Sequence, residues 1–596
     1  LLKDQAVEGR LIFVIIHQPS SEIMKMFDRL WILDKGGYMI YDGDPVDALV
    51  YFKTETSQAN AAESECPTCG NVETDEILKI IEAKVVDNSG NRGLERQVTP
   101  VEWYHRYKQK MEPALSGQPE MKPLPPSNFL VPQKIKQIRT FVKRNFVRKL
   151  ADKQYMVINM LEPPLLAFIL GYFSKYVTDG VYLFSDNKNY PVFLFMSVIV
   201  ALFLGLTVSA EEIFKDRKIL EREKYLNISR LSYLVSKLTL LFSLSAIQTF
   251  VYVIVSHSIL DVQGMIWSHW LILFTTSCYG NMAGLNISAG MKSVISIYIL
   301  IPLILVPQLL LGGAMIRFDD LHETMSRKVY VPVIGDLMAT RWSYEAIAVE
   351  QFRANEYMKP YFKTEIAISR YDWRSSFLIP DLKKKSNECA WANGKPEFAQ
   401  AYGENMVKLR YHINDLSREE GFDDSMILSI LDNPGFTQDQ AYAVNDYLDS
   451  LQKSVRKKYI AFTEVKEHIT DSIIRGAGRE ELVRRREMTH NEDLADILLN
   501  RTVQKKTLDT KDRIIQKSDP IFMEPGSRVT RAHFYAPFKG IGSWHLSTLW
   551  FNICMLWVMN GFLFMTLYYD VLKFLINQLE KLKIPGFGPS RFLPGW

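Results

Sequence analysis

The chain has 596 residues, 47% of them hydrophobic, and a near-zero mean hydropathy of -0.06 that averages very apolar with very polar stretches. That length supplies material for several domains and several cores. A net charge of only +4, with no basic-aromatic stripe, excludes a nucleic-acid partner. Cysteine is scarce, with five in all. Cys278 and Cys554 fall in apolar segments and read as buried thiols. No secretory signal peptide is recognisable.

The first element is the run 11–16 (LIFVII), whose apolar, β-branched composition predicts a buried parallel strand. It ends in His17-Gln18-Pro19-Ser20-Ser21, followed by a short helix and a strand-like 30–34 (LWILD). A Lys35-Gly36-Gly37 turn leads to a further strand at 38–41, closed by Asp42-Gly43-Asp44-Pro45. A histidine at the carboxyl end of a parallel strand sits where open α/β sheets bind ligands. This order of parts resembles the last third of an ATP-binding cassette. The HQPS run, the turn and the Tyr41-Asp42-Gly43 ending together are similar to the G-subfamily (white-type) ABC transporters, in a bacterial-type member.

The resemblance implies that His17 is the switch histidine, contacting the γ-phosphate and positioning the attacking water. Gln18, Pro19 and Ser20 would then shape the loop that holds it, and ATP and Mg²⁺ would be cofactors of the full-length protein. No G-x-x-x-x-G-K-[ST] loop occurs in the chain, nor an LSGGQ-like segment, nor an apolar strand ending in Asp-Glu before His17. The start at Leu1, inside a fold and without Met, is expected to be a truncation rather than the edge of a remnant domain. As written, the chain is not expected to hydrolyse ATP.

Residues 53–133 are polar and irregular in pattern and end in a Pro-rich stretch, 119–132, that predicts an extended linker. Cys66 and Cys69 have knuckle spacing, but a structural zinc site takes four ligands and His105 is the only nearby histidine. A reduced, unliganded pair is the expected state. In 134–153, Ile135, Ile138, Val142, Phe146 and Leu150 recur at helical spacing with Lys and Arg between them. This predicts an amphipathic helix in the membrane interface. In the family it resembles, a helix here links the cassette to the first span.

Six segments approach the ~20 residues needed to cross a bilayer. They lie at about 155–175, 190–210, 231–256, 267–288, 293–312 and 546–569. The first holds Glu162-Pro163-Pro164. An acid at that depth faces a cavity or a partner, either on a substrate pathway or in a structural contact, with Asn281, Asn286, Asn552 and Asn560 as candidate partners. Lys and Arg enrichment places 134–153 and 211–230 in the cytoplasm by the positive-inside rule.

The second span runs into 211–223 (EEIFKDRKILERE), where Glu211 and Lys215 are spaced for a helix with solvated faces. Two readings stand: a charged loop, or a coupling helix that transmits cassette closure through Glu211, Glu212, Lys215, Arg217, Glu221, Arg222 and Glu223. Arg222-Glu223 with Tyr233, Ser236 and Lys237 resembles the G-subfamily pattern, which implies the second reading.

Arg341-Trp342-Ser343-Tyr344-Glu345-Ala346 resembles the family's pattern before its last span, where short re-entrant helices cap the pathway. The chain then continues to about 545 as an insert with helical patterns at 400–416, 437–461 and 463–485. Cys389 is its lone cysteine, so no internal disulfide staples it, and it must fold on its own core or pack on a partner. His490 with its neighbouring acids reads as an exposed helix cap rather than a metal site.

The expected fold class is multi-domain α/β plus membrane all-α. It comprises a cassette fragment (1–52), a linker (53–133), a connecting helix (134–153), spans 1–5 (154–312), an extracytoplasmic helical insert (313–545), and a sixth span with a cytoplasmic tail (546–596). The resemblance implies an ATP-driven exporter in the inner membrane, multi-pass, with both termini cytoplasmic. Its partners would be a second half-transporter (homodimer or heterodimer), the lipid membrane and an amphiphilic or polymeric substrate. Two alternatives stand beside it: a non-catalytic permease or scaffold paired with an active ATPase, and an envelope docking protein acting through the insert.

Overall fold

The computed structural model describes residues 2–17, 19–63, 74–86, 92–115, 132–177, 180–223, 228–322, 324, 329–433, 435–503, 505–526, 531–542 and 544–581. The chain divides into two compact units, 1–129 and 130–596.

The first unit is built on an antiparallel hairpin, β1 (Leu30–Asp34) and β2 (Tyr38–Gly43). Its turn requires Gly36 and Gly37, both at positive φ (92° and 80°), where a Cβ is strained. Helices α1 (Asp47–Glu55), α2 (Thr74–Ile81) and α3 (Pro100–Lys110) close over one face. The core gathers Ile40, Tyr41, Phe52, Ile77, Ile80 and Trp103. Helix α3 starts at a capping box in which Thr99 and Glu102 satisfy each other's backbone N–H. The stretch expected as polar and irregular thus contributes two helices and Trp103, fully buried, to this core. Cys66, Cys69 and nearly all of 119–132 lie outside the described residues.

One expectation is overturned here. Residues 11–16 form no strand, and Leu11, Phe13 and Ile15 are 84%, 68% and 97% exposed. A parallel strand exists only with a neighbour to share its ladder, and β1 and β2 pair with each other alone.

In the second unit, the basic helix α4 (Lys134–Ala151) leads into α5 (Lys153–Ser174), α6 (Tyr190–Ser209), α7 (Glu212–Glu223), α8 (Arg230–Leu260), α9 (Ile266–Gly290) and α10 (Val294–Leu310). Among the described residues, four helices are long and apolar enough to cross a membrane: α5, α6 continued by α7, α8, and 548–568 near the end of the chain. The six-span expectation is met only in part. At 17 residues α10 is short, and at a rise of 1.5 Å it covers about 26 Å. Helix α9 is long but polar, with Thr275, Thr276, Ser277, Asn281, Asn286 and Ser288 all buried.

That polarity has a packing reason. A Cβ on Gly205 of α6 would lie 2.1 Å from the Ser277 carbonyl oxygen, and one on Gly280 of α9 would lie 2.5 Å from that of Leu202. The two backbones therefore touch, as small residues permit in membrane bundles. Outward-facing Leu161, Leu165, Phe168 and Phe173 on α5 and Leu303 on α10 leave an apolar exterior suited to lipid. Cys278 is buried as expected, whereas Cys554 is exposed on the apolar surface of the last span.

Beyond α10 come a buried helix α11 (Ala339–Ala354) and a helical insert: α12 (Phe362–Trp373), α13 (Ile379–Ala392), α14 (Ala399–Glu420), the 40-residue α15 (Gln438–Ala477) and α16 (Glu492–Leu498). A capping box, Thr437 with Gln440, starts α15. Leu409, Ile413 and Leu416 on α14 and Val444, Leu448, Leu451 and Val455 on α15 recur at three- and four-residue spacing and seal a separate core. The base of the insert merges with the ends of the membrane helices through Leu494, Leu498, Ile521 and Phe522. Asn491 stitches it to the loop before α6, donating at 2.9 Å to the carbonyls of both Phe184 and Asn187.

Short hairpins β3 (Thr507–Asp509) with β4 (Ile514–Gln516) and β5 (Phe538–Ile541) with β6 (Trp544–Ser547) lead into α17 (Thr548–Tyr568) and α18 (Val571–Lys581). The cap of α16 is Asn491, accepting from the Leu494 N–H, and it is buried. His490 is buried too, against the rings of Phe352 and Tyr357, which corrects the expectation of an exposed cap.

Burial pushes the imidazoles of His412, His490 and His533 down to about 4. In the unfolded chain they titrate near 6.5. Between those values the unfolded state takes up protons that the folded state refuses, so stability falls as pH drops from about 6.5 to 4 and is flat above. Each histidine is expected to cost on the order of 3 kcal/mol by pH 4. Thermal unfolding followed from pH 8 to pH 4 checks this, and a midpoint unchanged between pH 6.5 and 4.5 would refute it.

Candidate coupling site

The segment predicted to be helical and expected to couple is the helix α7, joined to α6 through Ala210 and Glu211. A helix begins with four N–H groups lacking intrahelical partners. Here two of them, of Ile213 and Phe214, donate to Ser288 Oγ at 3.0 Å each, a cap supplied by the last turn of α9. Arg217 answers by donating to the Met291 carbonyl at 2.8 Å, just past the end of α9. Each helix end thus completes the other.

The faces of α7 are not all solvated as the spacing suggested. Glu212 and Asp216, one turn apart, are each 3% exposed. Lys237 of α8, 1% exposed, lies between them, 2.9 Å from Glu212 and 2.7 Å from Asp216. From α4, Lys149 pairs with Glu212, and Arg148 reaches Asp216 at 2.7 Å. The Tyr233 hydroxyl adds a hydrogen bond to Asp216 at 3.2 Å. Further along, Arg144 holds Glu223 at 2.7 Å, while Asn145 donates to Ser236 Oγ at 3.1 Å.

Two buried carboxylates therefore meet three cations drawn from the connecting helix and the third span. Charges taken out of water persist only with such partners. The Arg148 guanidinium is held above its ordinary range by the hydrogen bond it donates to Asp216. Burial lowers the Lys149 ammonium despite the opposing pull of Glu212.

Of the predicted coupling residues, Glu211 pairs with Lys215 at 2.6 Å and accepts from the Tyr298 hydroxyl at 2.7 Å. Glu221 and Arg222 are exposed and make no ion pair among the described residues. Asp216, Arg148, Lys149 and Ser288 escaped the sequence reading. For the first three the available signal was the basic helix preceding an acidic one. Ser288, 75 residues from Ile213, gave none.

The other predicted positions are scattered. His17 is exposed with no hydrogen bond among the described residues, and Gln18 lies outside them. Ser20 caps the short helix Ser21–Met24, and the Pro19 carbonyl accepts from Thr74 Oγ1 at 2.9 Å. Helix α5 runs unbroken through Pro163 and Pro164. Glu162 is half-buried and meets none of its four candidate partners. Asn281 donates to Ser245, Asn286 to the Leu563 carbonyl and Asn552 to Glu345, while the Asn560 amide is buried without a partner among the described residues.

Glu345 proves to be the hub of a second buried cluster. It is fully buried, paired with Lys539 and lying 3.4 Å from Arg341. Asn552 of α17 donates to it at 2.9 Å. Burial opposes its charge, but Arg341 and Lys539 hold the carboxyl below its ordinary range. Burial in turn pushes Lys539 down to about 7 against the pull of Glu345. The cluster ties α11, the β5–β6 hairpin and the last span together.

Residues 136–352 match the ABC-2 type transporter family. Among curated proteins, similar stretches occur in ABC transporter G family member 11 of Arabidopsis thaliana, 47% identical over 45 residues (8% of this chain, 6% of that protein). ABC multidrug transporter A-2 of Aspergillus fumigatus is 37% identical over 75 residues (12% and 5%). ABC transporter patM of Penicillium expansum is 34% identical over 68 residues (11% and 5%). The matches thus span only 5% or 6% of these relatives' own length. With several apolar helices, the close α6–α9 contact and the ion-paired α7 in one bundle, residues 136–352 form a membrane domain of the ABC-2 transporter type.

Proposed function

We propose that the chain is the membrane half of an ATP-driven exporter of the G-subfamily kind, working as a dimer of half-transporters with α4 and α7 on the cytoplasmic side and the insert outside. The carrying observation is the buried ion cluster, which makes α7 one mechanical piece with α4 and α8. A push on α7 must displace Lys237, and with it the third span, or else separate buried charges at a cost of several kcal/mol. The exposed Lys218, Glu221 and Arg222 are left to receive that push from a cassette. Alternating access is then a population shift between two packings of the bundle. An apolar exterior and the multidrug name of the Aspergillus relative favour an amphiphilic cargo.

The residues present do not by themselves fit a nucleotide. No phosphate loop occurs, and His17 stands exposed at the end of an unpaired segment. In this reading ATP and Mg²⁺ are cofactors of the whole transporter, and the α4–α7–α8 block acts through none of their chemistry. Hydrolysis by that product in lipid is expected to fall by two orders of magnitude or more in His17→Ala, roughly the scale of losing one transition-state contact. An inactive wild type would overturn the exporter reading in favour of a non-catalytic subunit. An active His17→Ala would remove His17 from its role.

A further inference from the structure

Where the membrane domain meets the insert, residues from the loop after α10, from α12 and α14, from β4 and from the turn at 533–535 line an open cavity of about 440 Å³. Cavities of this size take drug-sized organic molecules. One wall is aromatic. Phe318 stands edge-on to Phe534 at 5.0 Å, Tyr535 continues it, and Trp373, Leu378 and Ile514 close the insert side. The Trp373 indole N–H is buried in that wall without an acceptor among the described residues.

The charges lining the cavity do not cancel. Among the described residues its three carboxylates are Asp319, Asp415 and Glu524. Asp319 accepts both its bonds from Lys517 at 2.9 Å, Glu524 pairs with Arg370, and Asp415 lies 3.7 Å from Arg374, which also holds Glu419 at 2.6 Å. Two guanidinium groups remain. Arg317 donates to Thr502 Oγ1 at 3.0 Å and has no carboxylate partner among the described residues. Arg513 contacts the hydroxyls of Tyr330 and Tyr411, and its nearest carboxylate, the largely exposed Asp512, is 3.9 Å away. The two lining histidines are engaged by backbone: His412 Nε2 accepts from the Ile514 N–H at 2.9 Å, and His533 Nε2 meets the Pro520 carbonyl at 2.7 Å.

An aromatic wall with two uncompensated guanidinium groups is complementary to one kind of molecule. We propose that this cavity binds a small organic carboxylate with an apolar body, its carboxylate taken by Arg513 and Arg317 and its body laid against Phe318, Phe534 and Trp373. The planar fork of Arg suits a carboxylate, and aromatic faces supply the apolar contact. The site is independent of the transport reading, since it requires neither nucleotide nor a second half-transporter.

The test is isothermal titration of the full chain in lipid nanodiscs with 2-naphthoate, with empty nanodiscs subtracted. Saturable binding of one probe per chain is expected, weakened roughly tenfold or more in Arg513→Gln and in Arg317→Gln, as for loss of one charge-assisted hydrogen bond. The neutral 2-naphthalenemethanol should bind roughly tenfold more weakly or worse, and Arg513→Lys should retain part of the affinity. Thermal unfolding of the variants is measured alongside, and binding lost in a variant that still melts like wild type supports the site. The comparison of the two probes on wild type needs no variant at all. No saturable binding, equal affinity for the neutral and anionic probes, or unaltered affinity in both folded Gln variants would overturn the proposal.

Discussion

Lys237→Met is expected to destabilise the membrane domain by about 3–5 kcal/mol, because it strips the shared cation from two buried carboxylates. Glu212 and Asp216 would keep only Lys149 and Arg148, which approach from α4 alone. The measurement is the unfolding midpoint of the purified protein in lipid. A loss below about 1 kcal/mol would put these pairs on the footing of surface ion pairs and remove the argument for a rigid α4–α7–α8 block. The fivefold variant Arg148→Met, Lys149→Met, Glu212→Gln, Asp216→Asn, Lys237→Met, which replaces every member of the cluster, separates stability from coupling. Neutral groups of similar shape can replace a buried ion cluster at little cost, so stability should return to within about 1–2 kcal/mol of wild type. Transport per ATP in the complete gene product should not return, because the charges that bind α7 to the third span are gone. Full recovery of transport would show that packing alone carries the signal.

Gly205→Ala is the other substitution with a large expected effect. A single methyl group there falls 2.1 Å from the Ser277 carbonyl oxygen and 3.0 Å from the Asn281 nitrogen, both backbone atoms that no rotamer change can move. The α6 and α9 helices must separate, which costs at or above the upper end of the roughly 1–3 kcal/mol typical of overpacking. Gly280→Ala meets the Leu202 carbonyl from the other side and should behave alike. Gly403→Ala provides the contrast: it lies inside α14 with nothing within 4 Å of its added Cβ, and should stabilise by about 0.5–1 kcal/mol. Melting curves of the three variants decide the matter. If Gly205→Ala and Gly403→Ala shifted the midpoint in the same direction, the close α6–α9 contact would be refuted.

These two predictions also mark what could be read without coordinates. The apolar runs at 155–175, 190–210, 231–256 and 546–569 declare themselves as spans because hydrophobicity over some twenty residues is a local property. The helicity of 211–223 and of the insert follows from equally local spacing, although α15 joins the predicted 437–461 to the first part of 463–485 and stops at Gly478, after which a separate helix, Arg479–Thr489, takes up the rest. The β1–β2 hairpin was legible from its Lys35-Gly36-Gly37 turn for the same reason.

Pairing and burial are different in kind. Whether 11–16 becomes a strand depends on a neighbour elsewhere in the chain, and with none among the described residues to share a ladder this strand-like hexapeptide stays unpaired. Likewise, the run EEIFKDRK does not reveal that Glu212 and Asp216 turn inward while Glu221 and Arg222 stay in solvent. That choice is made by Lys237, Lys149 and Arg148, on helices that approach from either side. Glu345 meets Lys539 across 194 residues. Patterns shorter than one element were enough to make the multi-span helical membrane domain, the helicity of 211–223 and the helical insert legible. Only the tertiary structure decided which charges are buried, which carboxylates are spent, and which two arginines are left facing an aromatic cavity, because desolvation and ion pairing depend on groups that distant parts of the chain bring together.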